Sequence, residues 1–293
     1  MPAEAGERRP IVFGVDAAHP GPMAAVWAGD EAERRGLPLR LVHAVPVMIR
    51  DLRAFEEARY RKALRELGDE ALDKASAVVR ERHPDLEVVT SVIDGNPGQV
   101  LCRESSHAEL VVLGSRRMGR LEEVLSTYSV TVPVSAQAAC PVVVVRDPEH
   151  VTQDPPYVVV GVDGSRSSAA AVDFAFDFAS RRGAALRAVW VWQSQLIASI
   201  DEHTAVQTLR RELSEHTAGR IAAHPDVALT HEVIRGHPVE ELAKAAEHSL
   251  AVVVGRRGHG GFTGMKLGSV PHGLLHRAQC PIITVPAPDG SGA

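Results

Sequence analysis

Val158–Asp163 reads VVVGVD, and Ile11–Asp16, near the start of the chain, reads IVFGVD. The two aspartates stand 147 positions apart (163 − 16). Working outward, LRLVHAV at Leu39–Val45 pairs with LRAVWVW at Leu186–Trp192 at the same offset. The offset then falls to 141. His83–Asp85 and His224–Asp226 both read HPD, VIDGNP at Val92–Pro97 answers VIRGHP at Val233–Pro238, and VVLGSRR at Val111–Arg117 answers VVVGRRG at Val252–Gly258. CPVVVV from Cys140 and CPIITV from Cys280 close the series at 140. Six matched segments in one order describe an internal repeat. The second copy is about six residues shorter after its second strand, and one residue shorter between its glycine loop and its Cys-Pro step.

Each copy alternates short apolar runs with helical patterns. Strands are expected at Ile11–Val15, Leu39–Val45, Leu86–Ile93, Leu110–Leu113 and Val142–Val145. In the second copy they are expected at Val158–Val162, Leu186–Val191, Val227–Ile234, Ala251–Val254 and Ile282–Val285. Helices fit between them at Pro22–Arg35, Leu52–Arg82, Pro97–His107 and Val132–Ala138, with counterparts in the second copy. Val-rich strands without alternation predict burial on both faces and parallel pairing. Alternation of strand and helix predicts an α/β architecture of two tandem doubly wound domains with right-handed crossovers. The expected boundaries are 1–146 and 157–287, joined by a polar, Pro-rich linker at 147–156.

Length and composition agree. The 293 residues exceed one typical α/β domain and suit two. Aromatic residues are only 4% of the chain, which favours tight sheets under small-residue helices over an aromatic-lined groove. A net charge of −5 with both signs interspersed argues against nucleic acid as the main partner. The apolar runs are strand-sized, so no membrane-spanning helix is expected. Met1–Pro10 lacks the apolar core of a secretory signal, so a cytoplasmic location is expected. Cys102, Cys140 and Cys280 form no CxxC pair and read as buried thiols in a reducing compartment, not as a disulfide or metal site.

The chemistry-bearing stretch follows the fourth strand of the second copy. Gly255–Val270 reads GRRGHGGFTGMKLGSV, with the frame Gly255-x2-Gly258-x9-Gly268-Ser269. Glycines let backbone approach a ligand closely, and successive free N–H groups can face a phosphate. Ser269 is read as the N-cap of the next helix, whose free amides and dipole favour an anion. Arg256, Arg257 and Lys266 add positive charge nearby.

This frame resembles the ATP-binding signature of the universal stress proteins. GVDGS at Gly161–Ser165, GHP at Gly236–Pro238 and the closing Cys-Pro strand at Cys280 are similar to that family as well. The resemblance covers nearly the whole chain as two fused domains, and the combination is specific though each short motif is not. It implies a five-stranded parallel sheet of order 3-2-1-4-5 in each domain, and ATP as ligand with Mg2+ as its companion cation. Asp163 and Gly164 would lie near ribose and phosphates, Val191 would meet the adenine edge through its backbone, and Gly236 and His237 would border base and ribose. Gly255, Arg256, Gly258, His259, Gly260, Gly268, Ser269 and Val270 would hold ribose and phosphates. The family's last strand commonly pairs domains, so Val142–Val145 and Ile282–Val285 become candidate homodimer edges. The implied role is a stress-response regulator or sensor that acts on an unidentified protein client through nucleotide-dependent conformation or association. A structural module with vestigial nucleotide binding and a weak ATPase are the alternatives.

The first copy departs from the pattern. Asp16, Ala44, Gly95, Gly114, Arg117 and Ser129 hold the corresponding places, but Arg117 replaces the second glycine, and Tyr128 and Ser129 (aligned from Cys140) or Thr127 and Tyr128 (aligned from Gly114) stand at Gly268 and Ser269. Pro133 and the β-branched run Val130–Val134 disfavour a helix starting at Ser129. Either this copy has lost nucleotide binding, or Arg117 replaces backbone donors with a charged side chain. Weakened or absent binding is the reading adopted, and Asp16 is equally able to cap its own turn.

Other chemistries lack their residues. There is no GxxxxGK[ST] loop and no GxSxG elbow. His272 and His276 share a helix face without an acidic ligand, and read as solvated positions. His43 and Trp190 read as core or pocket wall, and the charge-rich helix up to Arg82 as a solvated face. No residue pair reads as an acid–base catalyst, so the chain is expected not to be an enzyme, apart from slow ATP hydrolysis.

Overall fold

The computed structural model describes residues 8–19, 21–46, 54–116, 130–147, 150–193, 202–258 and 266–288. The chain divides into two compact units, Met1–Pro148 and Glu149–Ala293. In unit 1 the order is β1 (Ile11–Gly14), α1 (Pro22–Arg35), β2 (Leu39–Val45), α2 (Ala54–Arg82), β3 (Val88–Asp94), α3 (Pro97–Glu104), β4 (Leu110–Arg116), α4 (Thr131–Gln137) and β5 (Val142–Asp147). Unit 2 runs β6 (Tyr157–Gly161), α5 (Arg166–Ser180), β7 (Ala185–Trp192), α6 (Glu202–Ile221), β8 (Leu229–Arg235), α7 (Pro238–Ala245), β9 (Val252–Gly255), α8 (Ser269–Arg277) and β10 (Ile282–Val285).

Both sheets are parallel with the expected strand order, β3-β2-β1-β4-β5 in unit 1 and β8-β7-β6-β9-β10 in unit 2. Burial explains the pairing. Ile11, Val12 and Phe13 of β1, Val111 and Val112 of β4 and Val158–Val160 of β6 are at most 1% exposed, so helices cover both faces of these central strands. Strands β3 and β8 repeat one half-exposed pattern, as edge strands do.

Helix α1 coincides with its predicted span because its punctuation is local. Pro22 opens it, and Gly36 closes it at φ 62° with its N–H on the carbonyls of Ala32 and Glu33. The third helix is shorter than expected. It ends at Glu104, and a 3-10 turn follows at Ser105–His107. There the Ser105 hydroxyl donates to the Cys102 carbonyl at 2.6 Å and accepts the Ala139 N–H at 2.9 Å, which diverts the chain. Strands β3 and β8 each begin two residues later than predicted. Leu86 and Val227 are spent in turns on the His83 and His224 carbonyls.

Candidate functional site

In unit 2 the sheet reverses direction of growth at β6, whose neighbours are β7 and β9. Ligands of such sheets sit beyond the carboxyl ends of the strands at this point. The turn after β6 is built from Asp163-Gly164-Ser165. Asp163 Oδ1 accepts the Ser165 N–H at 3.0 Å, and Gly164 takes φ 81°, which an L side chain adopts at a cost. Ser165 caps α5, its Oγ accepting the Ser168 N–H at 3.1 Å.

Three hydroxyl contacts fasten the loop that follows β9. Ser165 Oγ donates to the Arg257 carbonyl at 3.3 Å. Ser167 Oγ accepts the Arg257 N–H at 3.3 Å and donates to the Val285 carbonyl at the end of β10, also at 3.3 Å. The chain leaves at Arg256, whose N–H bonds Val285 at 2.7 Å, and returns at Gly268, whose N–H bonds the Arg256 carbonyl at 2.9 Å. Gly258 lies against Asp163 so closely that a Cβ there would stand 2.2 Å from Oδ2. Helix α8 then begins at Ser269, and its first-turn amides have no partner within the helix. Ser269 was expected as the N-cap. That position belongs to Gly268, extended at φ −69° and ψ 160°, while Ser269 is already helical.

These parts surround a cavity of about 370 Å3. Among the predicted residues Asp163, Val191, Gly255, Gly258, Gly268, Ser269 and Val270 line it. Gly164, Gly236, His237 and Arg256 are not in its wall. His237 is the N-cap residue of α7 and is exposed, and Gly236 donates its N–H to the Trp192 carbonyl. Arg256 is engaged with β10, and it is Arg257 that reaches the cavity, with Nε donating to the Lys266 carbonyl at 3.4 Å. His259 and Gly260 lie outside the described residues. Gly255 has a packing duty besides. A Cβ there would meet the Ser167 backbone carbon at 2.6 Å. Sequence reasoning missed the apolar floor, Val189, Leu242, Val254 and Leu267, which carries no signal beyond core hydrophobicity.

Unit 1 keeps the turn and changes the clasp. Asp16 Oδ1 accepts the Ala18 N–H at 2.9 Å, and Oδ2 faces His19 Nδ1 at 3.2 Å. Ala18 and Pro20 stand where unit 2 has Ser165 and Ser167, so both hydroxyl donors are gone. Helix α4 starts at Thr131, two residues past the position matching Ser269, as the β-branched run predicts. Asp16 and Ala44 line a cavity here, whereas Gly95, at φ 146°, and Gly114 do not. Arg117 and Ser129 lie outside the described residues.

Among the described residues no group of three or more His, Cys, Asp or Glu side chains gathers to hold a metal. His272 and His276 lie on the exposed side of α8 with ring centroids 4.8 Å apart and planes tilted by 56°. His43 packs its ring on Gly68 and donates Nδ1–H to the Val15 carbonyl at 2.9 Å, a wall position as expected. No described helix is long and apolar enough to cross a membrane.

The profile of the universal stress protein family matches residues 7–146 and again 157–286. A universal stress protein of Mycobacterium tuberculosis strain H37Rv is 33% identical over 285 residues, covering 93% of this chain and 95% of that one. The crystal structure of a universal stress protein from Archaeoglobus fulgidus superposes with a TM-score of 0.74 at 15% identity, over 96% of this chain and 98% of the other. A universal stress protein solved in complex with cAMP aligns with 45% of this chain and 98% of its own, at 26% identity and a TM-score of 0.35. Two matches in tandem, on two sheets of one strand order, establish that the chain belongs to the universal stress protein family.

Proposed function

We propose that unit 2 binds ATP, with Mg2+ accompanying the phosphates, and that occupancy of this site regulates how the protein associates with a second copy or with a protein client. The observation that carries the reading is the return of the loop from Arg256 to Gly268. It brings the first-turn amides of α8, the Gly258 backbone and the Asp163 carboxylate round one cavity, with Arg257 in the wall. A glycine loop running into a helix start is the arrangement that receives phosphate. Val191, near the end of β7 and in the same cavity wall, is the residue assigned to the base in this reading. Regulation follows only if ATP binds two conformations with different affinity. In this reading the contacts of Gly258, Gly268 and Ser269 with bound ATP supply that difference.

Thermal melting with and without Mg-ATP tests the reading. A ligand present at 100-fold its dissociation constant stabilises by about 2.7 kcal/mol. For a unit of this size that raises Tm by at least about 5 °C. Gly268→Trp abolishes the shift and keeps the fold, because the backbone at Gly268 suits any residue and its nearest neighbours stand 3.4 Å or more from a Cβ. A melting temperature unmoved by saturating Mg-ATP refutes nucleotide binding. Acid release of nucleotide is expected to yield one equivalent per chain. Two equivalents assign a second site to unit 1, and turnover abolished by Asp163→Ala makes the protein an enzyme.

A further inference from the structure

Unit 1 holds a cavity of about 640 Å3 at the carboxyl ends of β1 and β2, against about 370 Å3 in unit 2. Its extra wall has a cause in the sequence. The buried stripe of α2, Leu72, Ala75 and Val79, continues toward the start of the helix as Leu64 and Leu67, which line the cavity. Leu67 is 54% exposed, an unusual place for leucine on so charged a helix. Leu72 corresponds to Leu213 at the offset of 141, and both are buried. The same offset puts Ala205 and Thr208 at the positions of Leu64 and Leu67. Unit 2 therefore lacks this leucine wall.

Among its described residues, unit 1 also lacks parts of the phosphate-facing arrangement of unit 2. Ala18 cannot repeat the Ser165 clasp, and α4 has seven residues against nine in α8. Among the described residues no lysine or arginine lines the cavity. Its polar groups are Asp16, His19 and His43, and Asp16 is exposed. The volume lies within the range of small-molecule pockets, roughly 300–1,000 Å3.

We infer that unit 1 binds a non-phosphorylated, largely apolar small molecule, seated against Leu64, Leu67 and Leu101 with a hydrogen-bond donor or cationic group toward Asp16. This inference stands independently of ATP binding in unit 2. The test uses the full chain and Nile red, a neutral apolar dye. The expected result is a fluorescence rise that saturates at one equivalent per chain and is unchanged by saturating Mg-ATP or by Gly268→Trp. Ala44→Trp fills the cavity and is expected to weaken dye binding at least tenfold. Leu67→Glu changes a half-exposed position, so it spares the fold, and is expected to weaken binding several-fold. Both variants should still melt cooperatively. Displacement of the dye by ATP at one equivalent per chain, or wild-type dye affinity in both folded variants, overturns the inference. If ATP binds nowhere while the dye result holds, only the proposal for unit 2 fails.

Discussion

Gly255→Ala and Gly114→Ala make the same chemical change at matched positions of the repeat, and the structure assigns them opposite outcomes. Neither glycine has a positive φ, so backbone strain does not enter. Space decides. A Cβ on Gly255 would lie 2.6 Å from the Ser167 carbonyl carbon, 2.7 Å from its oxygen and 2.8 Å from its Oγ. Carbon atoms in contact stand about 3.5–4.0 Å apart, so the backbone of α5 has to retreat by about 1 Å. Overpacking of this kind costs about 1–3 kcal/mol. Retreat also stretches the two Ser167 hydroxyl bonds, to Arg257 and Val285, each worth about 0.5–1.5 kcal/mol. The expected loss is about 2–4 kcal/mol, with weaker ATP binding because the loop loses its anchor. At Gly114 the nearest atoms are Ala24 Cβ at 3.5 Å and Gly21 Cα at 3.7 Å, ordinary contacts. Gly114→Ala should be neutral, or stabilising by up to about 1 kcal/mol through the unfolded state. Urea unfolding reads both. In a Trp27→Phe background the remaining tryptophans, Trp190 and Trp192, report on unit 2 alone, and far-UV circular dichroism follows Gly114→Ala. With a denaturant slope of about 1–3 kcal/mol per molar, the Gly255→Ala midpoint falls by roughly 1 M or more. An unmoved midpoint, or an equal loss from Gly114→Ala, refutes the steric argument.

Other consequences can be checked more briefly. Arg257→Ala removes the cationic side chain in the cavity wall and should raise the dissociation constant for ATP about tenfold or more, as loss of a charge-assisted bond does, with a flatter salt dependence by calorimetry. Burial pushes the Asp30 carboxyl up, but hydrogen bonds from Arg82 and His83 outweigh it and leave the group below its usual value. A depressed carboxylate contributes stability above its unfolded value near 3.8 that is lost as pH falls through the folded value, so Asp30→Asn should flatten the loss of stability below about pH 4 in urea titrations. Burial, and secondarily the charge of Glu109, pushes the Cys140 thiol up to about 12, so iodoacetamide at pH 8 should leave Cys140 unmodified in the folded chain and label it in urea.

Features punctuated locally were legible in the sequence. Pro22 and Gly36 bracket α1, Val-rich runs mark the strands, and the repeat offsets alone predict two sheets of one architecture. Where contacts are long-range, the sequence was silent. Gly255 read as a ligand glycine because its partner, Ser167, is 88 positions away (255 − 167). Arg256 and Arg257 are adjacent and chemically identical in sequence. In the fold the Arg256 amide pairs with Val285 of β10, and it is Arg257 that lines the cavity. Ser165 caps α5, and with Ser167 it also holds a loop from another strand, which nothing in the local sequence announces. Leu64 and Leu67 were hidden among the charges of α2, where composition suggested a solvated face.

The hydroxyl of Ser167 joins α5, the loop after β9 and the end of β10 through one oxygen atom. The Arg257 amide is consequently protected from solvent exchange by a side-chain rotor and not by a strand ladder. Its deuterium uptake measures how long the loop stays latched, on a clock separate from unfolding of the sheet. A residue that lines the cavity thus carries a reporter of the cavity's occupancy, readable without a dye or an attached probe.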